Sequence, residues 1–254
     1  MAFVDILLDD VREVSEASRM VDLRLGAFFT IAVVETPHGR QAGLAATLGA
    51  GEHSHGENPP LPEAGRLLDQ DPMIVAEHIH AYSTLQAAVG LATINALLTV
   101  DEEQCTEVNA RDLILEKGEG KRVAMVGHFP FVPVVRKAVG TLDVLELDPQ
   151  GKDRPADDAP EVIPQADVVA ITGTTLLNHT FDDLISLCDP DAYVLVLGGS
   201  TPLTPRFFSV GVDVVAGTRV GDIEGALLAV SQGAGFRQIP GKRLLVMSQE
   251  QNPV

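Results

Sequence analysis

The chain contains no tryptophan and only two cysteines, and aromatic residues fill 4% of its 254 positions. So few rings leave no interleaved stacking surface, which argues against single-stranded nucleic acid as a partner. Cys105 and Cys188 lie far apart and in no metal-ligand spacing, and two are too few for a disulfide scaffold. A reduced, cytoplasmic setting is therefore expected. Positive charge is scarce as well: 18 Lys and Arg stand against 36 Asp and Glu, for a net charge of −18, and only 5 of the basic residues are lysine. Such a chain repels phosphate polymers, so neither nucleic acid nor an anionic membrane is an expected partner. Few lysines remain for Schiff-base chemistry. No window of eighteen apolar residues predicts a membrane span, and the acidic, amphipathic start (residues 1–20) lacks the basic region of a secretory leader.

What the sequence does have is a core. Hydrophobic residues make up 45% of it, enough for one large domain or two modest ones. The charged, glycine-containing stretch at 115–122 reads as a linker. It predicts a small α+β domain over 1–118 and an α/β domain over 119–254. In the second part, short β-branched runs recur at 122–127, 142–147, 167–172, 193–198 and 212–216, with helical patterns after several of them. Such runs suit strands buried on both faces of a parallel, doubly wound sheet, and 242–248 adds an edge strand. In the first part, residues 3–19 read as an amphipathic helix. Residues 22–36 and 40–49 read as two strands joined at Pro37-His38-Gly39. Asp71-Pro72 opens a further helix, and 82–98 is a helix whose Ala88, Ala92 and Ala96 share a face that admits another backbone.

Ligands of open parallel sheets bind beyond the carboxyl ends of the strands, so the strand tips carry the functional reading. They are Gly127-His128-Phe129-Pro130, Glu146-Leu147-Asp148, Thr172-Gly173-Thr174-Thr175, Gly198-Gly199-Ser200-Thr201 and Ala216-Gly217-Thr218. Glycine lets a ligand approach the backbone and threonine supplies hydrogen bonds, although βα turns use both residues without any ligand. Thr174 or Thr175 is a candidate cap for the following helix. A dinucleotide fingerprint needs three spaced glycines, and Gly127 stands alone. NAD is thus a poor candidate, even though Glu146 and Asp148 fall where a ribose-binding acid would. His53 and His55, flanked by Glu52 and Glu57, form a His-x-His pair able to bind a divalent metal; the alternative is a solvated polar loop. His78 and His80 have the same spacing but sit in a predicted helix, where the rings diverge. His128 and His179 lie beside the strand tips. Ser200 resembles a nucleophile turn only loosely, because Pro202 follows, and it reads as a hydrogen-bonding residue.

Taken together, the stretches VGHFPF, LELDP, ADVVAITGTTLLNHT, LGGSTPLTPRFFSVGVDVVAGTRVGD and VGLATINALL resemble the putative heavy-metal chelation family. The resemblance spans about residues 5–235. It implies an enolase N-terminal-like domain before a Rossmann-like one, with a ligand cleft between them. It further implies that Asn95 from the first domain meets His128, Thr174, Asn178, Ser200 and Thr201 from the second; with the strand-tip residues Gly127, Phe129, Pro130, Glu146, Thr175 and Gly198, these make up the expected ligand cleft. Gly199 departs from the proline that the family often has there. The implied role is binding or inserting a heavy metal, in metal chelation, metal uptake or corrin-related metabolism. Together with the strand tips it leads to the expectation of a small anionic ligand or a heavy-metal chelate in the cleft, with His128 as metal ligand or proton carrier. Two alternatives stand beside it: a nucleotide- or S-adenosylmethionine-dependent enzyme with an acid on the ribose, and a non-catalytic ligand-binding module. The small-residue helix also permits a homodimer.

Overall fold

The protein is described by a computed structural model that covers residues 1–48 and 60–249. His53 and His55 lie outside the described residues. The chain opens with helix α1 (Phe3–Glu16), whose Phe3, Val4, Leu7, Leu8 and Val11 are all buried along one stripe. Three antiparallel strands follow: β1 (Arg19–Leu25), β2 (Phe29–Thr36) and β3 (Gly39–Ala46). The single strand expected over 22–36 is corrected to a hairpin. Gly26 N–H donates to the Phe29 carbonyl at 2.8 Å across a two-residue turn, Ala27-Phe28, whose apolar side chains hide it from pattern reading. The second hairpin turns at Pro37-His38 as expected, with Gly39 at φ +97°.

Helix α2 (Pro72–Ala76) begins where expected, with the Asp71 carboxylate accepting from Met73 N–H at 2.8 Å. Helix α3 (Thr84–Leu97) packs across β2 and β3. Its small face is met by Gly43 of β3, where an added Cβ would stand 2.2 Å from the Ala92 carbonyl oxygen and 2.4 Å from Ala96 N. The strand is thus pressed against the helix backbone itself. Strand β2 is buried on both sides. Ala32 and Val34 join the core that holds α3, while Ile31 and Val33 join the one that holds Ala226, Leu227 and Val230.

Helix α4 (Ala110–Lys117) leads into the larger sheet, so the expected linker at 115–122 shrinks to the short turn after Lys117. The remaining elements are β4 (Arg122–Val126), α5 (Val132–Ala138), β5 (Thr141–Glu146), β6 (Arg154–Pro155), α6 (Ala159–Val162), β7 (Val168–Thr172), α7 (Phe181–Ser186), β8 (Tyr193–Leu197), β9 (Val214–Val220), α8 (Ile223–Ser231) and β10 (Lys242–Ser248). Their strands form a seven-stranded sheet in the order β10-β9-β8-β7-β4-β5-β6, parallel except for the antiparallel edge strand β10. Successive residues of β7 serve opposite faces, as the pleat requires. Val168 and Ala170 pack with Ile114, Val132 and Val135, whereas Val169 and Ile171 join a core continuous with α1, α2 and α3. The first half of the chain therefore covers one face of the second half's sheet. Phe3 anchors this cover, with its ring centroid 4.9 Å from that of Phe181 and 4.3 Å from that of Phe207.

Candidate functional site

The chain runs from β4 outward through β5 to β6, then returns past β4 to start β7 on its other side. The strand order reverses between β4 and β7, and the crevice at such a reversal is where open α/β sheets bind ligands. A cleft of about 420 Å³ opens there, within the size range of small-molecule sites. Its floor is Val126 and Leu145. Its walls are Gly127, His128 and Phe129 from the β4 tip, Glu146 and Leu147 from the β5 tip, and Thr172, Thr174, Thr175, Asn178 and Thr180 from the β7 tip. Ala156, Asp157 and Ala159, just past β6, close one end.

Gly127 sits at φ +101°, and a Cβ on it would meet Thr172 Cβ and Cγ2 at 3.0 Å, so glycine lets the two tips converge. Behind it the β5 carboxylate organises the loop: Glu146 Oε1 accepts from His128 N–H at 2.5 Å and Oε2 accepts from Leu147 N–H at 3.2 Å. The His128 ring is then fixed by a residue from the loop before β6, with Nδ1 2.7 Å from Asp153 Oδ2. The Asp153 side chain is only 3% exposed, whereas that of His128 is 45% exposed. A carboxylate accepts only, so Nδ1 donates to it, which leaves Nε2 as the ring nitrogen that can offer a lone pair. Opposite, the Thr172 hydroxyl caps a 3-10 turn (Gly173–Leu176) by accepting from Thr174 N–H at 3.4 Å. Thr172, rather than Thr174 or Thr175, is thus the cap. Asn178 Oδ1 accepts from the Thr180 hydroxyl at 2.8 Å.

Of the residues expected at the site, Gly127, His128, Phe129, Glu146, Thr174, Thr175 and Asn178 are brought together around this cleft. Pro130 sits exposed in the loop beyond it, outside the lining. Asn95, Gly198, Ser200 and Thr201, also expected at the site, do not line it either. Asn95 Nδ2 donates to the Leu44 carbonyl at 2.8 Å and to the Ser200 carbonyl at 3.1 Å, and Ala46 N–H donates to Ser200 Oγ at 2.8 Å. These residues stitch α3, β3 and the β8 tip into a buried seam, and the lining of the cleft comes from residues 126–184 alone. The Ser200 hydroxyl is committed to that seam and buried, which suits a structural bond and not a nucleophile. Asn95 Oδ1 and Thr201 Oγ1 in or beside it are buried without a hydrogen-bond partner among the described residues. His179, at φ +59°, has Nε2 3.1 Å from the Ala81 carbonyl oxygen, outside the lining. His78 and His80 share a 3-10 turn, where His80 faces Asp5 at 3.5 Å and burial lowers the His78 pKa.

Sequence reading missed Asp153 and Asp157. Asp153 lies in a polar Gly-Lys-Asp turn that looks solvated, and the two-residue strand that starts after it leaves no hydrophobic run to single it out. No lysine or arginine lines the cleft among the described residues, while two carboxylates do. Among the described residues no set of three or more His, Cys, Asp or Glu is placed to hold a metal ion. Burial pushes the Cys188 thiol up to about 11 and raises that of Cys105 as well. No helix among the described residues is long and apolar enough to cross a membrane.

The same fold occurs in two crystal structures of proteins of unknown function from the DUF364 family. One, from Pyrococcus horikoshii, has a TM-score of 0.82 at 19% identity, over 96% of this chain and 99% of that one. The other, from Desulfitobacterium hafniense, has a TM-score of 0.79 at 21% identity, over 96% and 98%. An uncharacterised protein of Methanocaldococcus jannaschii is 25% identical over 228 residues, which is 87% of this chain and 86% of that protein. Two family models, both described as putative heavy-metal chelation, match residues 8–98 (DUF4213) and 109–248 (DUF364). With the larger match extending from α4 to the end of β10, the chain belongs to the putative heavy-metal chelation family DUF364.

Proposed function

We propose that the cleft binds a small organic molecule that carries a heavy-metal ion, and that His128 Nε2 is the protein's donor to that metal. The observation that carries this reading is the His128–Asp153 pair. A buried carboxylate on one ring nitrogen fixes the tautomer and aims the other nitrogen outward, the arrangement common behind metal-bound histidines. The metal is cargo in this reading. The described residues lack a three-donor set, so the remaining donors come from the organic carrier. Of the two ligand types the sequence suggested, the chelate is favoured over a free anion. Glu146 and Asp157 line the cleft with no lysine or arginine beside them, and carboxylates repel an uncompensated anion. The threonines and Asn178 on the β7 side would hold the carrier by hydrogen bonds.

Such a protein would hold or hand over a chelated metal in the cytoplasm, in metal uptake or in corrin-related metabolism, and this needs no covalent step. Titration calorimetry with Ni²⁺ as its histidine complex, and with free Ni²⁺, tests the reading. The complex should bind more tightly than the free ion, and His128→Ala should weaken it about ten- to hundredfold without lowering the thermal midpoint. Equal affinity in the variant would remove His128 from the site. Free Ni²⁺ binding as tightly as the complex would remove the carrier.

A further inference from the structure

The end of the cleft farthest from β7 holds groups to which the metal reading assigns no contact with the ligand. We propose that the side bounded by the β5 and β6 tips is a subsite for a phosphate-free 6-aminopurine nucleoside. The order of strands in this half, counted from β4 in chain order, is 3-2-1-4-5-6 with β10 added at the edge. In sheets of that order the adenosine end of a ligand lies over the first three strands, with an acid at the second strand's tip on the ribose hydroxyls. Glu146 occupies that tip. Each of its oxygens accepts one backbone N–H, from His128 and from Leu147, so the carboxylate is held rigid while a lone pair on each oxygen stays free. Two fixed acceptors side by side suit a vicinal diol.

The neighbouring residues suit a flat base. Leu147 lines the cleft yet is 73% exposed, a large apolar side chain held open where water would otherwise disfavour it. Ala156 and Ala159 supply a second, low apolar wall. Asp157 follows β6 directly, lines the same end, is exposed, and makes no hydrogen bond or ion pair with other described residues. Its carboxylate can only accept, so it matches an exocyclic amine and opposes a carbonyl at the same position.

Phosphate is excluded on three counts. The loop after β4 has one glycine, where a phosphate cradle needs several. Phe129 Cε2 reaches within 3.7 Å of the Cβ position of Gly127, which puts an apolar ring over the loop. The lining holds carboxylates and, among the described residues, no cation. The 5′ substituent is therefore neutral or cationic, and it extends toward Thr172, Thr174 and Asn178. This subsite does not rest on a metal being bound.

Titration calorimetry on the whole chain, with adenosine, 2′-deoxyadenosine, inosine and AMP as probes, tests it. Adenosine should bind, with each of the other three weaker by about tenfold or more, since an unpaired or opposed polar group is rejected strongly. Asp157→Asn should collapse the preference for adenosine over inosine, because an amide can donate to the 6-oxo group, and it should leave the thermal midpoint in place. Absence of adenosine binding would overturn the proposal. So would AMP binding as tightly as adenosine, or an adenosine-to-inosine ratio unchanged in Asp157→Asn.

Discussion

His128 Nδ1 lies 2.7 Å from the carboxylate of Asp153, a residue 25 positions later in the chain whose side chain is almost wholly buried. The contact joins the β4 tip to the loop before β6 and decides which ring nitrogen is available. Asp153→Ala should therefore act through His128. Binding of the nickel–histidine complex should fall about ten- to hundredfold, the range seen when a histidine loses its supporting carboxylate. Asp153→Asn, which keeps an acceptor oxygen, should recover much of the loss. Equal losses in both variants would point to the charge of Asp153 and not to ring orientation.

Asn95 makes the opposite prediction. Its amide spans the Leu44 and Ser200 carbonyls inside the seam. Asn95→Ala should lower stability by ~1–3 kcal/mol, since two buried acceptors lose their donor, and should leave cleft affinity unchanged. Denaturant unfolding and calorimetry on the same variant check both halves. Lost affinity with intact stability would return Asn95 to the ligand site.

Gly43→Ala tests the close approach of β3 to α3. The added methyl would stand 2.2 Å from one helix backbone atom and 2.4 Å from another, and neither can rotate away. The expected cost is ~3 kcal/mol or more, at the upper end for overpacking, read from the shift in denaturation midpoint. A shift close to zero would mean that the helix and strand separate easily.

The cysteines should be inert. With Cys188 pushed up to about 11 by burial, only roughly a thousandth of it is thiolate at pH 8, and Cys105 is raised in the same direction. Brief iodoacetamide treatment of the native protein at pH 8 should leave both unmodified by mass spectrometry, with reactivity rising as pH approaches 11. Rapid alkylation at pH 8 would show a reactive thiolate and contradict this expectation.

The large sheet was legible because its strands are short β-branched runs buried on both faces, a pattern that Val123-Ala124-Met125-Val126 and Tyr193-Val194-Leu195-Val196 display plainly. The face of Ala88, Ala92 and Ala96 likewise announced a close backbone partner, which proved to be Gly43. The hairpin inside 22–36 was not legible, because its turn, Ala27-Phe28, carries no turn chemistry and Gly26 is tied to the approach of Val230. At the site, residues at the tips of β4, β5 and β7 could be named from strand ends alone. Asp153 and Asp157 could not, since β6 has only two residues and leaves no hydrophobic run to mark its tip. Ser200 and Thr201 follow a strand as ligand residues do, but β3 and α3 pack over them, and such a contact has no local signature.

The central claim is that the cleft takes a metal-bearing small molecule through His128. Native mass spectrometry with elemental analysis, on the wild type and on His128→Ala isolated from the protein's own host, tests it most directly. The account predicts a non-covalent adduct on the wild-type chain, a transition metal in proportion to that adduct, and loss of both in the variant. Wild-type protein free of metal and adduct, or a variant that retains both in full, would contradict it.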